Sequence, residues 1–258
     1  MLTLLLTFTL FLFGALFPLF LWIVDRERLE IKIHRFVLIL ALSTVAGGFL
    51  LTLLIGLNGF FLVVGLVWIF FLLVVTLFSW GRPRVESWIV TVPSIIGIFF
   101  TAWIVGHLIN ADLISILVLI LGGLILSGSL FAMILGHWYL NVVNLPISLL
   151  RSATRLIMFF IFIRVVWNFL VIFSQSVLDT TGFEIPLIEF LWTLEGVFLW
   201  AGIFFGTLLP LLLSYLTLRT IAIHSTQSAT GLLYVLVISV FMGDLIYRFY
   251  SIQYALFL

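Results

Sequence analysis

The chain has 258 residues, of which 65% are apolar and only 8% charged, with a formal net charge of +1. A soluble domain carries about 25% charged residues, so this composition excludes a water-soluble globule and a disordered chain alike. The near-zero net charge excludes a nucleic-acid footprint, and the absence of cysteine excludes disulfides, thiolate metal sites and cysteine-ligated iron–sulfur clusters.

The reading that remains is an all-α polytopic membrane bundle, one integral domain over 1–258 with no soluble domain. A helix needs about 20 apolar residues to cross the hydrocarbon core. Eight segments meet that length: 2–24, 34–56, 59–80, 88–108, 112–137, 153–176, 187–216 and 230–253. The first has no basic residue before it, unlike a secretory signal, and reads as a membrane helix. The charge run Asp25–Lys32, the Asn58-Gly59 turn, the Gly81-Arg82-Pro83-Arg84 stretch and Asn110–Asp112 separate the early spans. Longer loops are expected at 138–152, 177–186 and 217–229.

Eight spans put the loops that begin at Asp25, Gly81, Trp138 and Thr217 on one face. That face holds Arg26, Arg28, Lys32, Arg35, Arg82, Arg84, Arg151, Arg155 and Arg219, against Arg248 alone on the other. The bias places the basic loops in the cytoplasm and both termini outside, in a bacterial or archaeal cytoplasmic membrane. No nucleotide motif opens a soluble helix, so nucleotide and nucleic-acid partners are not expected. The expected partners are lipids and other subunits of a membrane complex.

Three membrane-embedded charges stand out on consecutive spans: Arg164 in the sixth, Glu195 in the seventh and Asp244 in the eighth, with Arg248 one turn beyond Asp244. A charge at the bilayer centre costs roughly 2.5–3.5 kcal/mol on insertion scales, so such groups face the bundle interior and pair. Asp244 with Arg248, and Arg164 with Asn168, have the i,i+4 spacing that lets side chains meet on one helix face. Glu195 is the expected partner of Arg164. Arg164, Glu195 and Asp244 form either a proton path or the polar wall of a quinone site. The competing reading is a set of ion pairs that only fix helix order.

A second candidate site lies where the fifth span reaches the cytoplasmic boundary. His137, Trp138 and Tyr139 follow the small-residue stripe Gly128, Ala132, Gly136, which allows close approach of a helix or ligand. With Arg151, Arg155 and His34 these residues form a candidate quinone or b-type haem site, His34 and His137 being the imidazoles that belong to one side. An interfacial aromatic belt is the plainer alternative. His107 lies on the opposite side and His224 in a Ser/Thr-rich loop. No metal site is expected.

The seventh span is read as one thirty-residue helix, tilted, closely packed at Gly202-x-x-x-Gly206 and kinked at Pro210. The Phe-rich first three spans, with few polar residues, are expected to face lipid or a partner. The only lysine, Lys32, lies at a membrane boundary, which excludes a mid-helix retinal Schiff base, and no HExxH or GxSxG motif is present.

In helix count and general polarity the pattern resembles the quinol-interacting membrane subunits of the NrfD/PsrC kind. The likeness is architectural, rests on no shared motif and assigns no residue. The function expected is an integral subunit of a respiratory or electron-transfer complex, interacting with quinone and handling protons through the charges of spans six to eight. A non-redox assembly subunit and a small-molecule or ion transporter are the alternatives, with a lipid-modifying enzyme behind them.

Overall fold

A computed structural model describes residues 1–25, 32–56, 59–83, 85–142, 145–178 and 182–258. Arg26, Arg28, Asn58, Arg84 and Asp179 lie outside these residues. The chain is a helical integral membrane protein. Among the described residues, eight helices are long and apolar enough to cross a bilayer. Contacts with lipid follow from their apolar outer surfaces. The chain divides into two compact units, Met1–Ile116 and Leu117–Leu258.

The first unit holds α1 (Leu2–Leu16), a 3-10 turn at Phe17–Phe20, α2 (Leu21–Asp25), α3 (Ile33–Ile55), α4 (Gly59–Trp80) and α5 (Ser87–Ile109). The first span is its core, not a lipid-facing helix: 78% of its apolar window is buried, against 28% for α3 and for α4. The reason is residue size. Gly14 lies against Ala41 and Val45, and Gly48 lies under Phe11, so α1 and α3 approach closely along two small-residue contacts. Phe11, Trp68 and Phe100 then meet edge-on or tilted, with centroids 5.5–5.7 Å apart, in the T-shaped range that aromatic pairs favour. The 3-10 turn begins at the residue before Pro18, which supplies no N–H to an α-ladder.

The second unit holds most of α6 (Leu113–Asn141), then α7 (Ile147–Ser174), a two-stranded ribbon, and α8 to α11. α6 begins one residue after Asp112, whose carboxylate accepts the Ser115 N–H at 2.8 Å and so caps the helix. α7 starts at Ile147, just after Pro146 in an extended conformation, so the loop expected at 138–152 is mostly helical and Arg151 and Arg155 are helix residues. The loop expected at 177–186 carries the antiparallel strands β1 (Ser176–Leu178) and β2 (Glu184–Pro186), with Val177 opposite Ile185.

The seventh span is not one helix. α8 (Leu187–Phe190) ends in a series of turns, and α9 (Val197–Ile203), a π-helical turn (Phe204–Leu208) and α10 (Leu209–Ala222) follow. Two local causes break it. The Thr193 hydroxyl donates to the Phe190 carbonyl at 2.7 Å and accepts the Gly196 N–H at 3.1 Å, taking backbone groups from the helical ladder. Gly196 then packs so tightly on Phe190 that a Cβ there would overlap its carbonyl. Further on, Pro210 cannot donate to the carbonyl four residues back, and the wide π turn just before it absorbs the ring. Ser239 of α11 (Thr226–Tyr254) donates its hydroxyl to the Phe205 carbonyl at 2.7 Å, within that turn. The Gly202/Gly206 stripe packs as its spacing implies: Gly202 lies on Ile246, and Gly206 on Tyr247 and Gly243.

Candidate functional site

Arg164, Asp244 and Arg248 come together inside the second unit. Arg164 of α7 is 4% exposed, and Asp244 and Arg248 of α11 are 5% and 2% exposed. Arg164 lies ten residues before the end of α7 and Asp244 ten before the end of α11, about 15 Å along each helix at 1.5 Å per residue. Both sit deep within their spans.

The i,i+4 pair forms as its spacing implies. Arg248 Nε donates to Asp244 Oδ2 at 2.6 Å, and Nη2 reaches Oδ1 at 3.3 Å. Arg164 stands with its guanidinium 4.2 Å from the centroid of the Tyr247 ring, in cation–π range. Asn168, one turn along α7, donates to the Tyr247 hydroxyl at 2.7 Å. Gly122 of α6 makes room for the cluster: a Cβ there would stand 2.5 Å from Arg164 Nη1 and 2.7 Å from Asp244 Oδ1. Arg248 therefore pairs with the carboxylate, and the Arg164 guanidinium lies near it, both against bare helix backbone.

Glu195 is not the partner of Arg164. The break in the seventh span puts Glu195 in the turns before α9, where its carboxylate accepts the Tyr254 hydroxyl at 3.1 Å and its backbone carbonyl accepts the Tyr250 hydroxyl. Arg164 Nη2 donates instead to the Leu258 carbonyl. Trp167, three residues on from Arg164, donates its indole N–H to the Phe257 carbonyl at 3.0 Å. Among the described residues, Arg164 Nε, Arg248 Nη1 and Asn168 Oδ1 are buried with no hydrogen-bond partner.

Sequence reasoning found the charges but missed Gly122, Tyr247, Trp167 and the segment 255–258. The Gly122-Gly123 pair in an apolar helix was the available signal for close approach at α6. Tyr247 sits between Asp244 and Arg248 at i+3 from the aspartate, the spacing of a shared face.

The second candidate site is looser. His137 is exposed at the end of α6, with its Nδ1 3.4 Å from the Tyr234 hydroxyl. Trp138 is half-buried, and the Tyr139 hydroxyl donates to the Pro146 carbonyl, bracing the turn into α7. Arg151 is half-buried and Arg155 exposed on the first turns of α7. Gly136 packs on Thr230 and Leu233 of α11, so the small-residue stripe serves helix packing there. His34 is buried on α3 in the first unit while His137 belongs to the second, so the paired-imidazole haem keeps only its sequence basis. His107 lies beside the Phe61 ring at 5.1 Å. His224 sits exposed in the turn before α11 with a left-handed φ of 59°.

No family model, curated protein or solved structure matches the chain.

Proposed function

We propose that this chain is an integral membrane subunit of an electron-transfer complex that receives a quinone headgroup at the Arg164–Asp244–Arg248 cluster. One observation carries the reading: two buried guanidinium donors, Arg164 Nε and Arg248 Nη1, are left without acceptors in the interior of a membrane unit. A buried donor without an acceptor costs about 1–3 kcal/mol, more when charged, so a bound acceptor there is strongly favoured. Quinone carbonyl oxygens are acceptors carried into the bilayer by an apolar tail, and they suit a donor-rich site reached through lipid. Arg164, Trp167 and Arg248 would hold such a headgroup, Asn168 and Tyr247 would fix the arginine beneath it, and Asp244 would hold Arg248 in place. The quinone supplies the redox chemistry. Asp244 is the carboxylate at hand to hold a proton. The excess of basic residues on one set of loops supports an orientation with those loops in the cytoplasm and residues 1 and 258 outside.

Purification in mild detergent, with a reduced-minus-oxidised spectrum and mass spectrometry on one sample, tests the proposal. Co-eluting redox subunits or a bound quinone are expected. A colourless protein that runs alone and carries no quinone overturns it. The closed Asp244–Arg248 pair favours a second reading, an assembly subunit in which the charges only lock α11. In that case deleting the gene lowers the yield of a complex without any ligand being found.

A further inference from the structure

The segment between the sixth and seventh spans exposes apolar side chains where an aqueous loop would expose polar ones. Leu178 ends β1 and Phe183 stands just before β2, both exposed. Trp192 and Leu194 lie in the turns after α8 with relative exposures of 75% and 95%. The segment is tied to the ends of three spans. The Leu187 N–H donates to the carbonyl of Gln175, the residue after α7, at 2.9 Å. Phe190 meets the rings of Tyr250 and Tyr254, in the last turns of α11, at centroid distances of 6.3 and 5.3 Å. Both tyrosine hydroxyls donate to Glu195. Val197 then begins the seventh span, and the Trp192 ring stands 5.9 Å from that of Trp200 in its first turn. These contacts hold residues 176–196 level with the span ends. The exposed apolar surface runs on without a break in kind, to Phe169 and Phe173 of α7 and to Phe198 of α9.

We propose that this segment is a lipid-binding surface that lies in the membrane–water interface, with Leu178, Phe183, Trp192 and Leu194 immersed among headgroups and the upper acyl chains. The inference is independent of the quinone-site reading. Irregular backbone does not enter the hydrocarbon core exposed to lipid, because unpaired N–H and C=O groups find no water there. This segment pairs many of its own groups. The ribbon ladder joins β1 to β2, and the N–H groups of Leu191, Trp192, Thr193 and Val197 donate to the carbonyls of Leu187, Glu189, Phe190 and Thr193 at 2.9–3.0 Å. The headgroup layer still holds water for the remainder. It is also the level that Trp and Tyr favour, since each carries an apolar ring with one polar group. An exposed apolar patch marks a protein or a membrane contact. Continuity with the lipid-facing surfaces of α7 and α9 favours the membrane. The stretch from Ser176 to Trp200 has no Lys, Arg or His, and Glu184 and Glu189 are exposed on it. Attraction to anionic headgroups is therefore missing, and the surface fits a zwitterionic interface held by apolar contact.

The chain has no cysteine, so a single introduced thiol reports one position. Nitroxide labels on Phe183→Cys and Leu194→Cys are read in the full chain in phosphatidylcholine nanodiscs. Power saturation compares oxygen, which partitions into lipid, with a nickel chelate, which stays in water. Leu170→Cys on exposed surface of α7 gives the lipid reference, and Gln227→Cys at the exposed start of α11 gives the aqueous one. The oxygen-to-nickel accessibility ratio at 183 and 194 should exceed that at 227 by about threefold or more, and adding phosphatidylglycerol should not change it. A ratio equal to that at 227 makes the segment an aqueous loop and overturns the proposal. Low accessibility to both probes also overturns it and places a protein partner on the patch. A ratio that rises only with phosphatidylglycerol overturns the zwitterionic interface. Trp192→Phe needs no label. It should remove fluorescence that lipids brominated near the headgroup quench, and lost emission that only aqueous iodide quenches refutes the immersion.

Discussion

The ion pair of α11 supports a quantitative prediction. Asp244→Asn keeps the shape of the side chain and removes its charge. Arg248 then loses the ionic character of its bonds at 2.6 and 3.3 Å, and Arg164, beside the same carboxylate at Gly122, loses a nearby counter-charge. Hydrogen bonds to charged groups contribute about 1.5–3 kcal/mol each, and breaking a buried pair by removing one partner costs about 3–5 kcal/mol. For a chain of this size each kcal/mol moves the unfolding midpoint by roughly 2–4 °C, so a fall of roughly 6–20 °C is expected. Thermal unfolding in detergent, followed by tryptophan fluorescence, measures it. The decisive arm is the double variant Asp244→Leu with Arg248→Met. Replacing a buried pair with apolar side chains of similar volume is often close to neutral, so the double variant should be more stable than Asp244→Asn alone. A loss under about 1 kcal/mol in the single variant, or a double variant worse than the single, would refute the account of this cluster as an under-compensated pair of guanidiniums.

Three further outcomes follow from local geometry. Gly97→Ala should destabilise the first unit by about 1–3 kcal/mol, because the new methyl would run into the Trp68 indole, and a neutral result in thermal unfolding would contradict that packing. Gly243→Ala should cost at least about 2 kcal/mol, since its Cβ meets Gly206 backbone that cannot swing aside, and it should cost more than Gly231→Ala, where a Cβ finds open space. The Asp112 carboxyl, held below its ordinary value of 3.8 by the Ser115 hydroxyl and amide at the start of α6, should titrate at a lower pH than in an unfolded peptide. Its contribution is then fully present above the unfolded value and lost as pH falls through the folded one; a carboxyl-carbon NMR titration with a midpoint at or above 3.8 would exclude the cap.

Span existence was legible because bilayer thickness imposes one length on every helix, and the apolar runs display it. Seven of the eight expected spans match the structure to within about two turns, α4 among them residue for residue. The burial of the first span was not legible. Its mean hydropathy of 2.4 is also that of α3, whose window is far less buried, and hydropathy does not distinguish a helix against lipid from one against other helices. The distinction lay in Gly14 and Gly48, small residues that let α1 and α3 close on each other.

The seventh span shows why the pairing at the site went wrong. A thirty-residue apolar run reads as one helix, and on one helix Glu195 falls at a depth that suits Arg164. Thr193 and Gly196 undo that geometry through two hydrogen bonds of the threonine hydroxyl, and the residues between Phe190 and Val197 leave the helical register. Glu195 then meets Tyr254 at the end of α11 rather than Arg164 within the unit. Arg164 still needs an acceptor, and a backbone oxygen of Leu258 meets that need in part. The charge pattern in the sequence therefore marked the right helices for α7 and α11, where spacing along a continuous helix fixes neighbours. It misled across the seventh span, where a single hydroxyl competing for backbone decides whether a helix exists at all.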